Sequence, residues 1–523
     1  ISSNLNITTQ NKEMKLFFLL LLLSSSYATL TEKHREFADG LTSIIHNDSK
    51  KNHCTSSLGI SMAMSLLYPS MKGDAADEVE SVFGFTKNTN SAIESSTNSL
   101  VISKVKIVEN NNINNSKDEE QEQKQGSTGA LVEDNNNNSK EQEQQQGALE
   151  WSDVTSELNT NYFGGCAYQL DSPEDECEEY NPTVTISNSV WTQDSREVMP
   201  TYAAVLQDTQ MPIDLTSSAS GGIINKWVQN VTNGLIKDIV EENKPLSPPL
   251  ITLAVNAIYL KASWKDAFLT KHTNEDNFYS DETKNARFMH SVEHYNYYAD
   301  DNWQIVEVPF FTGYRQNEVF ATYFVLSSGD DKMSSSALLE KVASNKFKRT
   351  KVALALPKFT FSTEYDGDTL RSALNTLGVQ TPFGSGGLCI YVDDMCQSKI
   401  DYVLQKTYVS VDEGGMEAAA VTAMGIRATS VMPQEADPAL FLADHPFQFF
   451  VYNSRTDVVL LEGIVRDPVT EDTTTPELTL RHDDVAFWKD TFQVNPEKHH
   501  FVVDDSETKR SVSAASTPMI ITS

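Results

Sequence analysis

The chain has little positive charge, few cysteines and no long apolar run. Of 523 residues, 41 are Lys or Arg against 73 Asp or Glu, a formal net charge of −32. Nucleic acids and heparin-like polyanions are bound through clustered Lys and Arg, so neither is an expected partner, and polyanion activation is not expected. The five cysteines form no Cys-x-x-Cys pair, the common zinc spacing; no metal site and no cofactor is expected. Gly-x-Ser-x-Gly, His-Glu-x-x-His and Gly-x-Gly-x-x-Gly are all missing, so no motif points to an enzyme. The longest apolar run, Leu16–Leu23, has eight residues, where a membrane-spanning helix needs about twenty.

That short run has another use. Met14-Lys15 precedes it, and Ser24-Ser-Ser-Tyr-Ala28 follows with small residues suited to cleavage. This is the pattern of a secretory signal peptide. Residues 1–28 are therefore read as upstream residues and signal peptide, and the protein is expected to be secreted and extracellular. Sequons at Asn47 and Asn230 would then be glycosylation sites. Cys166/Cys177 and Cys389/Cys396 are close enough in sequence for two local disulfides, with Cys54 left over.

The most informative stretch is Asp412-Glu-Gly-Gly-Met-Glu-Ala-Ala-Ala-Val-Thr422. Its Ala and Glu content, taken alone, favours a helix. Its flanks favour another reading. Val403 to Asp412 alternates like a strand, and Phe447–Tyr452 with Val458–Leu461 brackets a turn, as in a β-hairpin. A segment of small residues thus leaves one strand and rejoins the fold at another. Small side chains at alternate positions would let it slide into a sheet.

Further motifs occur in order around it: Gly222-Ile-Ile-Asn-Lys-Trp-Val-Gln-Asn-Val-Thr-Asn-Gly234, Asn256-Ala-Ile-Tyr-Leu-Lys-Ala-Ser-Trp264 with Phe268, Leu356-Pro-Lys-Phe359, Leu377-Gly378, and Asp444-His-Pro-Phe447 with Gly463. Together they resemble the serpin family over roughly residues 31–85 and 148–468. The resemblance implies an α+β fold, with several helices around a large, mostly antiparallel main sheet, two smaller sheets and an exposed reactive-centre loop. It implies one serpin domain over 29–468. The Asn/Gln/Glu-rich segment 109–147 would interrupt it as a disordered insertion, and Val469–Ser523 would be a disordered extension.

The family's activity, carried over, is suicide inhibition of serine, and in some cases cysteine, proteases. The protease attacks the loop and forms an acyl-enzyme. Insertion of the cut loop into the main sheet then traps it, releasing strain stored in the native state. The resemblance makes Glu413, Gly415, Met416, Glu417, Ala418, Ala419, Ala420, Val421 and Thr422 the hinge. Family spacing puts the reactive bond at Thr429–Ser430, suited to an elastase-like protease, with Arg427 as the competitor for a trypsin-like one. Fourteen residues make an inserted strand of roughly 46 Å. Met416, Ala418, Ala420, Thr422 and Met424 would share its inward face, and Met416 is the residue expected to slow insertion.

The chain departs from the family where the sheet opens. Ser56-Ser57-Leu-Gly59 stands for Ser-Pro-x-Ser, and Gln405 stands for a histidine; Asn256 belongs to the same sheet-opening region. A rearranged polar network is expected there, since glutamine both donates and accepts. A monomer is expected. The rival reading is a non-inhibitory carrier, chaperone or storage protein. Such members tend to have charged, bulky or proline residues in the hinge; this hinge has no proline, and its stretch Ala418–Thr422 has no charged or bulky residue.

Overall fold

A computed structural model describes residues 31–46, 50–85, 183–243, 246, 252–311, 320–384, 386–416 and 437–468. The expected signal peptide at 1–28, the expected insertion at 109–147, the expected extension at 469–523 and residues 417–436 lie outside the described residues, as do Asn47, Cys166 and Cys177.

Two sheets organise these residues. The first, the main sheet, has six strands: β2 (Thr183–Gln193), β3 (Gln210–Ile213), β4 (Thr252–Ser263), β10 (Phe359–Tyr365), β11 (Tyr402–Val411) and the two-residue β12 (Gly415–Met416). Its order is β10-β11-β12-β4-β2-β3, with β11 also paired directly to β4. Most of its pairings are antiparallel; β11–β4 and β2–β3 are parallel. In the nine-stranded second sheet, the 17-residue strand β6 (Thr283–Ala299) pairs with β5 (Asn274–Tyr279), β7 (Trp303–Pro309) and β9 (Lys348–Pro357). It thereby makes one continuous sheet of what the family describes as two. The remaining strands are β1 (His53–Thr55), β8 (Phe320–Ser327), β13 (Ala439–Leu442), β14 (Phe447–Asn453) and β15 (Val458–Val465).

The strands expected from alternation form where the pattern places them. β14 and β15 pair antiparallel, and Asn453 accepts the amides of Arg455 and Thr456 to close their turn. Helices cover and separate the sheets: α1 over 31–45, then α2 (Ser57–Leu67), α3 (Asp74–Phe83), α4 (Pro200–Leu206), α5 (Ser220–Val231), α6 (Ser335–Ala343) and α7 (Gly367–Leu377). Ten of the eleven residues of α2 are buried. A helix apolar on all sides belongs inside a fold, and α2 packs against β2 and β4 of the main sheet and β15 of the second. Its first turn therefore lies directly under the main sheet. Cys389 and Cys396 form a disulfide, and Cys54 is free and buried. Asn230 is exposed near the end of α5.

Candidate functional site: a seam in the main sheet

The site is the seam between β4 and β11. Six parallel pairs, from Tyr402↔Leu253 to Thr407↔Ile258, close its lower part. Above them the strands part, and β12 enters between them, antiparallel to both. Met416 pairs with Val411 on one side and Ala262 on the other, while Gly415 pairs with Ser263. A Cβ on Gly415 would lie 2.0 Å from the Ala262 carbonyl oxygen. Only glycine permits that approach.

A polar clamp fixes the turn into β12. Asp412 Oδ1 accepts the amides of Gly414 (2.8 Å) and Gly415 (3.2 Å). Trp264, stacked on Phe310 at 4.8 Å, donates its indole N–H to the Asp412 carbonyl and its amide to the Gly414 carbonyl. Glu413 accepts from Thr273 Oγ1 and from Lys358 Nζ, each at 2.7 Å. Burial alone would raise the Glu413 carboxyl, but the Lys358 ammonium and the Thr273 hydroxyl hold it below its ordinary value. Asp412 is shifted the other way: burial pushes it up against its two backbone bonds. Met416, expected to resist insertion, already sits in the sheet, 1% exposed, with its sulfur 3.7 Å from Thr322 Oγ1.

Lower down, a different network holds the seam. Gln405 is wholly buried and fully bonded. Its Oε1 accepts from Thr55 Oγ1 (2.8 Å) and the Ser56 amide (3.2 Å). Its Nε2 donates to the Ser56 carbonyl (2.8 Å) and to Asn256 Oδ1 (2.9 Å). Asn256 in turn donates to Asn188 Oδ1 on β2 (3.0 Å). A Cβ on Gly59 would meet Asn256 Oδ1 at 2.4 Å. The two departures from the family pattern are therefore linked: glycine at 59 vacates the space that the Asn256 amide fills to reach Gln405.

Ser56, Ser57, Gly59, Asn256 and Gln405 thus converge, and Glu413, Gly415 and Met416 converge above them. Glu417, Ala418, Ala419, Ala420, Val421, Thr422, Arg427, Thr429 and Ser430 lie outside the described residues. Sequence reasoning missed Thr273, Asn188 and the role of Lys358, which it quoted only within a motif. Among the described residues, no helix is long and apolar enough to cross a membrane.

Comparison with known proteins settles the family. The model of the family described as serpin (serine protease inhibitor) matches residues 32–127 and 129–468. The chain belongs to the serpin family. Serpin-ZX of Arabidopsis thaliana is 31% identical over 309 residues, covering 55% of this chain and 77% of the relative. An uncharacterized serpin-like protein of Thermococcus kodakarensis is 30% identical, covering 54% and 66%. Human neuroserpin is 26% identical, covering 57% and 74%. Among solved structures, an Arabidopsis serpin in its native stressed conformation aligns with a TM-score of 0.59 at 21% identity, covering 85% of this serpin and 98% of that chain. Human thyroxine-binding globulin aligns with a TM-score of 0.61 at 18% identity, covering 85% and 100%. At those identities the structural likeness speaks for the fold. Membership supports protease inhibition in general, with proteases as partners; serpins are inhibitors rather than catalysts.

Proposed function

We propose that this serpin is a secreted suicide inhibitor of serine proteases. Its loop is cut at Thr429–Ser430, and the acylated protease is trapped as the loop enters the β4–β11 seam. The observation that carries this reading is the register of β12. Gly415 and Met416 already run antiparallel to both neighbours, in the direction the rest of the loop would follow. Each further residue would step one residue back along β4 and β11. Thr422, six beyond Met416, would arrive opposite Gln405 and Asn256, which lie six before Val411 and Ala262. A hydroxyl would then meet the amides whose mutual bond must break as the seam opens. Small residues from Ala418 to Ala420 would precede it.

Thr429 favours an elastase-like target; cleavage after Arg427 would favour a trypsin-like one and shorten the inserted strand by two residues, about 7 Å. The Cys389–Cys396 disulfide suits an oxidising compartment, in keeping with the leader at 1–28. The test is incubation with elastase and with trypsin, read on an SDS gel with mass analysis of the released C-terminal peptide. An SDS-resistant complex with a peptide beginning at Ser430, or at Ala428 for trypsin, is expected. Cleavage by both enzymes without a complex would pass the lead to the carrier reading.

A further inference from the structure

Glu462 of β15 is a carboxyl inside the core, 5% exposed, and no family motif quoted above includes it. Both its donors are neutral hydroxyls: Ser57 Oγ at 3.2 Å on Oε1 and Ser335 Oγ at 2.7 Å on Oε2. A buried carboxylate without a cation is costly and tends to take up a proton instead. Burial accordingly pushes Glu462 up to about 7. The Ser335 and Ser57 hydroxyls oppose the shift, and the Asp39 carboxyl of α1 adds to it.

Two short routes join this group to the seam. Ser57 is the first residue of α2, and the amide and carbonyl of the preceding Ser56 are both bonded to Gln405. On β1, Thr55 pairs in register with Glu462 and donates its hydroxyl to Gln405. Ser57 stands where the family places proline, so its hydroxyl is part of the same local departure as Gly59 and Gln405.

We propose that Glu462 is a proton-operated latch beneath the seam: neutral, it holds the first turn of α2 and the Gln405–Asn256 contact closed; ionised, it loosens both. The protonated carboxyl donates to one serine and accepts from the other. Loss of the proton leaves a buried charge beside Asp39 with only the two serine hydroxyls to stabilise it, a cost relieved by moving the α2 terminus or admitting water. The folded value lies above the ordinary 4.5. The contribution to stability is therefore complete below that ordinary value and is lost as pH rises through about 7. The titratable groups around Glu462 are Asp39 on α1, Cys54 on β1 and Tyr365 on β10. Burial pushes Cys54 up to about 12 and Tyr365 higher still, so neither changes charge near neutrality. His34 of α1, bonded to Ser61 of α2, is held down to about 4 by burial and titrates below the window. From α2, α6 and β14 the neighbours are Ser57, Ser335 and Phe450, none of which titrates.

This inference needs neither loop cleavage nor a protease, so it stands or falls apart from the inhibitory reading. The test compares the full chain with Glu462→Gln at about pH 6 and about pH 8, by heat unfolding and by hydrogen exchange of amides 403–407 and 254–258. In the wild type the unfolding midpoint should drop by several degrees with rising pH. Seam exchange, corrected for its intrinsic pH dependence, should rise roughly tenfold. Glu462→Gln should flatten both. A variant that keeps the wild-type slope, or a wild type with no slope, overturns the proposal. Should Glu462→Gln fail to fold, Ser57→Ala decides: loss of a donor to the anion should move the transition to higher pH, and an unmoved transition is fatal.

Discussion

The upper and lower parts of the seam are held by different chemistry. Above, β12 is anchored by a partly buried ion pair, Glu413–Lys358, with side chains 11% and 13% exposed. Below, β4 and β11 are joined by neutral amides and hydroxyls centred on Gln405. The contrast has a physical logic. An anchor should not yield, and removing one member of a buried pair strands the other charge. A gate must yield, and neutral groups can exchange one hydrogen-bond partner for another at little net cost. Under the proposed insertion, Thr422 would bring such a partner. The anchor would then fix where the loop is tethered, and the neutral network would set how readily the seam admits it.

The largest effect in this comparison belongs to the anchor. Lys358→Ala should destabilise the native state by about 2–3 kcal/mol, at or just below the roughly 3–5 kcal/mol for stranding a fully buried charge because both groups keep some solvent contact, as read by urea unfolding. The same pair has a pH signature. The folded Glu413 carboxyl lies below its ordinary 4.5, so its stabilisation is complete above that value and is lost as pH falls through the depressed one. Lys358→Ala should remove this acid dependence. An unchanged acid profile would mean that the ion pair does not anchor β12.

A smaller effect is expected below. Gln405→Leu leaves the Ser56 backbone and the Asn256 amide without their partner, at about 1–3 kcal/mol. It should also speed uptake of a synthetic peptide with the sequence 416–429 into the main sheet, seen by native gel. Slower uptake would show that the network guides the incoming strand rather than barring it.

How much of this was legible in the sequence follows from the range of each interaction. The glycine turn into β12 was readable because Gly415 acts locally, on backbone approach. The β14–β15 hairpin and the Cys389–Cys396 bond were readable because their partners lie within a few residues. Alternation marks a strand but not its neighbour, so nothing local pairs Glu413 with Lys358, 55 positions away, or Gln405 with Asn256, 149 away. Gly59 and Gln405 read as two separate losses from the family pattern. Only the packing shows that one makes room for the other's partner. Glu462 was invisible for the same reason: nothing local to Leu461-Glu462-Gly463 marks the carboxyl as buried, yet β1, α2 and α6 cover it.

The central claim is that the β4–β11 seam accepts the loop as a full strand. The most direct measurement is heat unfolding before and after a single cut between residues 424 and 430 by a protease that is then removed. Insertion would replace the parallel β4–β11 pairing with two antiparallel ones and release the strain proposed for the native state, so the cleaved protein should melt far above the intact one. Equal melting temperatures would contradict the account: the loop would be cut but not taken up, and the seam would be a closed structural joint.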